Sequence, residues 1–121
     1  MNKLNKEFSE IKKNSLEFRK KIMLMSYEAG YSSAHIGGAL SSVEILSTLY
    51  TKFLNFNKNN PHDISRDRFI LSKGHGCLTY YAMLNSMGYI DDEAMKTFEK
   101  NGSDLLGHPV KNKNLGIEFS N

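Results

Sequence analysis

The chain has 121 residues, 40% hydrophobic and 24% charged, which is a globular composition and too apolar for a disordered tail. Sixteen Lys+Arg against thirteen Asp+Glu leave a net charge of +3, scattered or interleaved with acids as in Arg66-Asp67-Arg68, which argues against nucleic acid as a partner. The length allows at most one compact domain, no apolar run approaches a membrane span, residues 1–10 lack a signal-peptide core, and the lone Cys77 suits a reducing cytoplasm.

Leu4, Phe8, Ile11, Ser15, Phe18, Ile22, Met25 and Ala29 recur at steps of three and four, which places them on one stripe of a helix stopped by Gly30. A Met and aromatic stripe of this kind reads as core rather than as a cofactor face. After a Gly-rich turn over residues 31–40, Ser41-Ser42-Val43-Glu44 has the form of a capping box opening a second helix that runs to Leu54. Its apolar residues, among them Val43, Ile45, Leu46, Leu49 and Phe53, cover more than one stripe and predict burial on several sides. Residues 55–63, polar and Asn-rich, form a loop.

Phe69-Ile70-Leu71, apolar between charged flanks, predicts a short buried strand. A helix from Gly76 or Cys77 to Met87 follows, with Cys77, Tyr81 and Leu84 on one face and Gly88 as its stop. Asp91 caps a further short helix through Lys100, ended by Asn101-Gly102, and residues 103–121 are loop apart from a strand at 117–119. A buried strand pairs on both edges, and the chain offers only one other weak strand. Residues 1–121 are therefore expected to be an incomplete part of a larger α/β domain, or to need another chain to complete one.

Three of the four histidines sit in predicted loops beside glycine: Ala34-His35-Ile36-Gly37-Gly38, Lys73-Gly74-His75-Gly76 and Gly107-His108-Pro109. Glycine lets a ligand approach the main chain closely, and two of these loops lead into a helix N-terminus, where free N–H groups favour an anion such as phosphate. His75 also follows a strand directly, the position at which open α/β sheets bind ligands. Taken singly, each histidine reads as a solvated or packed loop residue; taken together they point to a phosphate-bearing ligand. The sequence separations match no zinc-ligand spacing, so no metal ligand is assigned. A Gly-x-Ser-x-Gly nucleophile elbow is absent.

Several motifs then occur in a fixed order: Ser33-Ala34-His35-Ile36-Gly37-Gly38-Ala39-Leu40-Ser41, Glu44-Ile45-Leu46, Arg66-Asp67-Arg68-Phe69-Ile70-Leu71-Ser72-Lys73-Gly74-His75, Gly107-His108-Pro109 and Gly116-Ile117-Glu118-Phe119-Ser120. Through them the sequence, from about Phe8 to its last residue, resembles the N-terminal part of transketolase. The resemblance implies an α/β thiamine diphosphate-binding fold, of which residues 1–121 are a partial diphosphate-binding domain, mostly helical with one or two short strands. It implies an enzyme that, when completed, transfers a two-carbon ketol unit between sugar phosphates, as in the pentose phosphate pathway, while the isolated chain is inactive. Its partners would be sugar-phosphate substrates and a C-terminal transketolase segment or subunit, in a homodimer or heteromer.

Carried over by motif, His35 lies near the reacting centre, binds the substrate and exchanges protons with it. His75, with Gly74, contacts thiamine diphosphate, and His108 hydrogen-bonds the donor sugar near its carbonyl. Mg²⁺ is expected with the cofactor, its ligands lying outside this chain in a Gly-Asp-Gly segment and a following Asn of the family. Ala34 and Ile36 stand where many full-length transketolases have Gly and Pro, a variation associated with split subunits. Two other readings stay open: a non-catalytic assembly or regulatory stub, and a decarboxylating thiamine diphosphate enzyme such as deoxyxylulose phosphate synthase.

Overall fold

The computed structural model describes residues 2–30 and 34–121, so the first residues of the predicted glycine-rich turn, Ser33 included, lie outside it. Helix α1 (Lys3–Ala29) carries the predicted stripe. Asn2 opens it by accepting the Asn5 N–H at 2.8 Å, and Gly30, at φ +82°, closes it. Phe18, Ile22 and Met25 are buried on this stripe, and the Ser15 hydroxyl meets that of Ser47 at 2.6 Å. Leu4 and Phe8 continue the stripe but are more than half exposed.

The chain re-enters helix earlier than expected. Residues predicted as turn form the short α2 (Ile36–Leu40), and α3 (Val43–Thr48) starts with Ser42 as its flanking residue. The capping box does not form, because the preceding backbone is already helical. The Ser41 hydroxyl donates back to Gly38 O at 2.9 Å, and Glu44 pairs with Arg19 instead of reaching back to the cap. The helix predicted to reach Leu54 passes from α3 into a π-helical turn (Leu49–Phe53), where the Leu54 N–H bonds to Leu49 O at 2.9 Å.

A 3-10 turn (Gly74–Gly76) leads into α4 (Cys77–Ser86), against which α1, α2 and α3 all pack. Every residue from Cys77 to Leu84 is buried, so α4 is covered on all sides rather than on the single predicted face. Asp91 caps α5 as expected, accepting the Ala94 N–H at 2.7 Å, but α5 spans only Asp92–Met95. In place of the predicted continuation to Lys100, the backbone after Met95 tightens into turns, with the Lys96 N–H on Glu93 O at 3.2 Å and the Thr97 N–H on Ala94 O at 2.9 Å. Glu99, at a left-handed φ of 57°, then turns its N–H toward Leu105 O at 2.9 Å.

The two predicted strands are corrections. Residues 69–71 join no ladder among the described residues, and Ile70 is 59% exposed rather than buried. Side chains meet the carbonyls of Phe69 and Leu71 in place of a neighbouring strand. The Tyr80 hydroxyl lies 3.2 Å from Phe69 O and 3.3 Å from Gly116 O, and Asn121 Nδ2 donates to Leu71 O at 2.8 Å and to Ser72 O. The strand expected at 117–119 is reduced to an isolated antiparallel bridge between Asn112 and Ile117, after the 3-10 turn Lys113–Leu115. The architecture is mostly helical, as expected, and no helix of the described residues is long and apolar enough to cross a membrane.

Candidate functional site

The three glycine-flanked histidines, 40 and 33 positions apart in sequence, converge on one exposed point. The rings of His35 and His75 lie 4.5 Å apart at 77°, and those of His75 and His108 lie 4.6 Å apart at 71°. One nitrogen of each lies within 4.8 Å of the others. The fourth histidine, His62, is elsewhere, with Nε2 2.8 Å from Asn114 Oδ1.

Each histidine is held by its own backbone anchor. His35 immediately precedes α2, and its carbonyl accepts the Ala39 N–H at 3.2 Å. His75 sits in the 3-10 turn at the N-terminus of α4, closed by Gly76 N–H to Lys73 O at 2.9 Å. The first and second loops touch: the Thr79 hydroxyl bonds Ala39 O, and Lys73 Nζ donates to Ser41 Oγ at 2.8 Å. His108 is fixed through its neighbours. The Gly107 N–H donates to the Glu99 carboxylate, Cys77 Sγ lies 3.1 Å from Gly107 O, and Asn121 N–H bonds Pro109 O at 3.0 Å.

Glycine lets two of these loops meet closely. A Cβ on Gly74 would stand 2.9 Å from His108 Nδ1, so a side chain there would displace the ring. An open depression beside the cluster is lined by His35, Glu99, Gly107, His108, Ser120 and Asn121. Cys77, whose Sγ faces Gly107 O, is buried, and that burial, reinforced by the Glu99 carboxylate, pushes its thiol up to about 12.

The sequence singled out His35, Gly74, His75 and His108, and the structure brings all four together. Lys73 and Glu99 were not assigned roles. Lys73 lies inside the Gly-His motif and was legible there as a cation beside the loop. Glu99 reaches Gly107 only because its own left-handed backbone reverses the chain, and nothing in the local sequence announces that.

The fold is thus a helical unit built on the buried helix α4, with three glycine loops gathering histidines at its N-terminal end. Transketolase from Leishmania mexicana has the same fold, with a TM-score of 0.82 and 30% identity over 91% of this chain and 16% of that one. The family model for the thiamine diphosphate-binding domain of transketolase matches residues 15–121, and the chain belongs to this family.

One subunit of the apulose-4-phosphate transketolase of Actinobacillus succinogenes is 39% identical over 99% of this chain and 43% of that protein. The chloroplastic transketolase of Spinacia oleracea is 38% identical over 74% of this chain and 12% of its own length, and the transketolase of Geobacillus stearothermophilus 39% over 71% and 13%. The chain thus spans less than half the length of the curated relatives it matches.

Proposed function

We propose that this chain supplies the N-terminal part of a thiamine diphosphate-dependent transketolase-like enzyme that transfers a two-carbon ketol unit between sugar phosphates. The convergence of His35, His75 and His108 beside the N-terminus of α4 is the observation that carries the reading. Gly74 lets the His75 loop and the His108 ring lie against one another, because a Cβ there would stand 2.9 Å from His108 Nδ1. His75, with Gly74, is assigned to the cofactor, where the free N–H groups opening α4 favour a diphosphate. When bound, thiamine diphosphate supplies the electron sink for breaking the carbon–carbon bond of the donor.

His35 and His108, both exposed, are assigned to the sugar. His35 holds and moves a proton at the substrate hydroxyl, and His108 donates a hydrogen bond near the donor carbonyl. The cluster does not fit Mg²⁺, which prefers oxygen ligands and here would meet imidazole nitrogens, so the metal that accompanies the diphosphate is assigned to residues outside this set. The likeness to a relative that is itself one subunit of a transketolase favours a partner chain, and the transketolase names of the matched relatives favour ketol transfer over decarboxylation.

The test is co-expression with the candidate C-terminal partner, followed by an assay of ketol transfer. Activity is expected in the mixture and not in the purified chain. His35→Ala in the active complex should lower the maximal rate by roughly 10²–10⁴-fold, the usual loss for a positioned proton-transfer group. His75→Ala should weaken cofactor affinity more than sugar affinity. Full activity of the chain alone, or an unchanged rate in His35→Ala, would overturn the assignment.

A further inference from the structure

Among the described residues Glu99 is the one non-glycine with a left-handed backbone, at φ +57°. A residue with a Cβ is strained there, and such strain persists where the surrounding structure makes use of it. The turn itself does not call for glutamate: glycine takes a positive φ freely, as Gly102 does three positions on at +81°. What glutamate adds is a carboxylate, which accepts the Gly107 N–H and lines the open depression beside His35 and His108. Gly107 leaves room for this approach only as glycine, since an added Cβ would stand 2.8 Å from Glu99 Oε1.

This contact completes a clamp on the residues that lead into His108. The Glu99 N–H donates to Leu105 O at 2.9 Å, the Tyr81 hydroxyl to Leu106 O at 2.6 Å, and Cys77 Sγ to Gly107 O at 3.1 Å. Three successive carbonyls are held in this way, two of them from α4, and the carboxylate holds the N–H of the last residue before the histidine. A hydrogen bond to a carboxylate is stronger than one to a neutral acceptor, so the anchor nearest His108 carries the charge. We propose that Glu99 is a positioning residue for His108: its carboxylate fixes the Gly107 peptide, and through it the imidazole, at the edge of the depression, and the strained backbone at 99 is the means of bringing it there. The inference rests on the assignment of His108 to the sugar, and its effect on that reaction is the orientation of the donor.

The test compares Glu99→Ala, Glu99→Gly and Glu99→Gln in the full chain and in its complex with the candidate C-terminal partner. Glu99→Gly removes the carboxylate and the strain together, so it should melt higher than Glu99→Ala, which removes the carboxylate alone. Both should nevertheless lower kcat/KM for the donor to the same extent, by roughly 10–100-fold, with Glu99→Gln, which keeps an acceptor, in between. By NMR of the full chain alone, the Gly107 amide and His108 ring resonances should shift in the Ala and Gly variants while those of His62 stay in place. Gly107→Ala, which pushes the carboxylate away, should reproduce these shifts in the native chain and add little to them in the Glu99→Gly background. An inactive complex would overturn the proposed function and leave the positioning role to be decided by the resonances. Activity that returns with the melting temperature from Glu99→Ala to Glu99→Gly, or His108 resonances unmoved by loss of the carboxylate, overturns the proposal.

Discussion

Two glycines separate the demands of the site from those of the fold. Gly74 has an ordinary backbone conformation, and the atom an added Cβ would meet belongs to His108, whose exposed ring can swing aside. Gly116 combines a φ of +73° with a Cβ position 2.6 Å from Tyr89 Cδ2, in a buried setting. Gly74→Ala should therefore lower the melting temperature by no more than about 5 °C, the equivalent of roughly 1 kcal/mol, while shifting the ring resonances of His108 away from those of the native cluster. Gly116→Ala should cost about 1–3 kcal/mol and leave the histidine resonances in place. Equal melting temperatures in the two variants would contradict this division. At this scale the histidines were legible because each carries its glycine beside it in the sequence. Glu99 was not, because its contact with Gly107 depends on a backbone reversal that no neighbouring residue type encodes.

Helices were legible wherever the periodicity was long or the stop was a glycine, as in α1, ended by Gly30, and α4, followed by Gly88 at φ +85°. The capping box and the strands were misread for a common reason. Both are local signals whose partner groups were already engaged: Glu44 by Arg19, and the carbonyls of Phe69 and Leu71 by the side chains of Tyr80 and Asn121. What holds the segment around residues 66–71 to the C-terminal residues is a buried ion pair together with these side-chain hydrogen bonds, rather than a ladder. Arg66 pairs with Glu118, their side chains only 4% and 10% exposed, while Arg66 also donates to Pro61 O and Asp67 O and lies over the Tyr89 ring. Removing one member of a buried pair leaves the other charge without compensation, so Glu118→Ala should destabilise by about 3–5 kcal/mol. Arg68 lies 3.7 Å from the same carboxylate but with its side chain 45% exposed, so Arg68→Ala should cost no more than about 1 kcal/mol. Urea unfolding of the two variants checks both values, and similar losses would show that the pair does not clamp these segments together.

Across the whole molecule, apolar side chains divide between one buried cluster around α4 and a set that no described residue covers. Ile45, Phe53, Ile64, Ile70 and Phe119 are all more than half exposed, which agrees with the excess apolar surface read from the second predicted helix and with a chain spanning part of its relatives' length. Stability of the unit accordingly rests on α4, and α4 carries titratable groups into the core. Burial raises Cys77 from 9.0 to about 12 and Tyr80 from 10.0 to about 12, and it raises Tyr81, Tyr50 and Tyr89 as well. The folded chain holds these protons more tightly than the unfolded chain. Their contribution is therefore complete below about pH 9 and is lost as pH rises from there through about 12. Lys21 acts the other way, since burial lowers its pKa and the folded state releases that proton more readily, but it is one group against five. The urea midpoint should thus hold steady from neutral pH to about pH 9 and then fall steeply. Cys77→Ser, which keeps a donor for Gly107 O but does not titrate in this range, should delay the start of that fall. A midpoint that does not change between pH 8 and about 11, or a Cys77→Ser curve that falls with the native one, would show that α4 is not the element whose protons the fold retains.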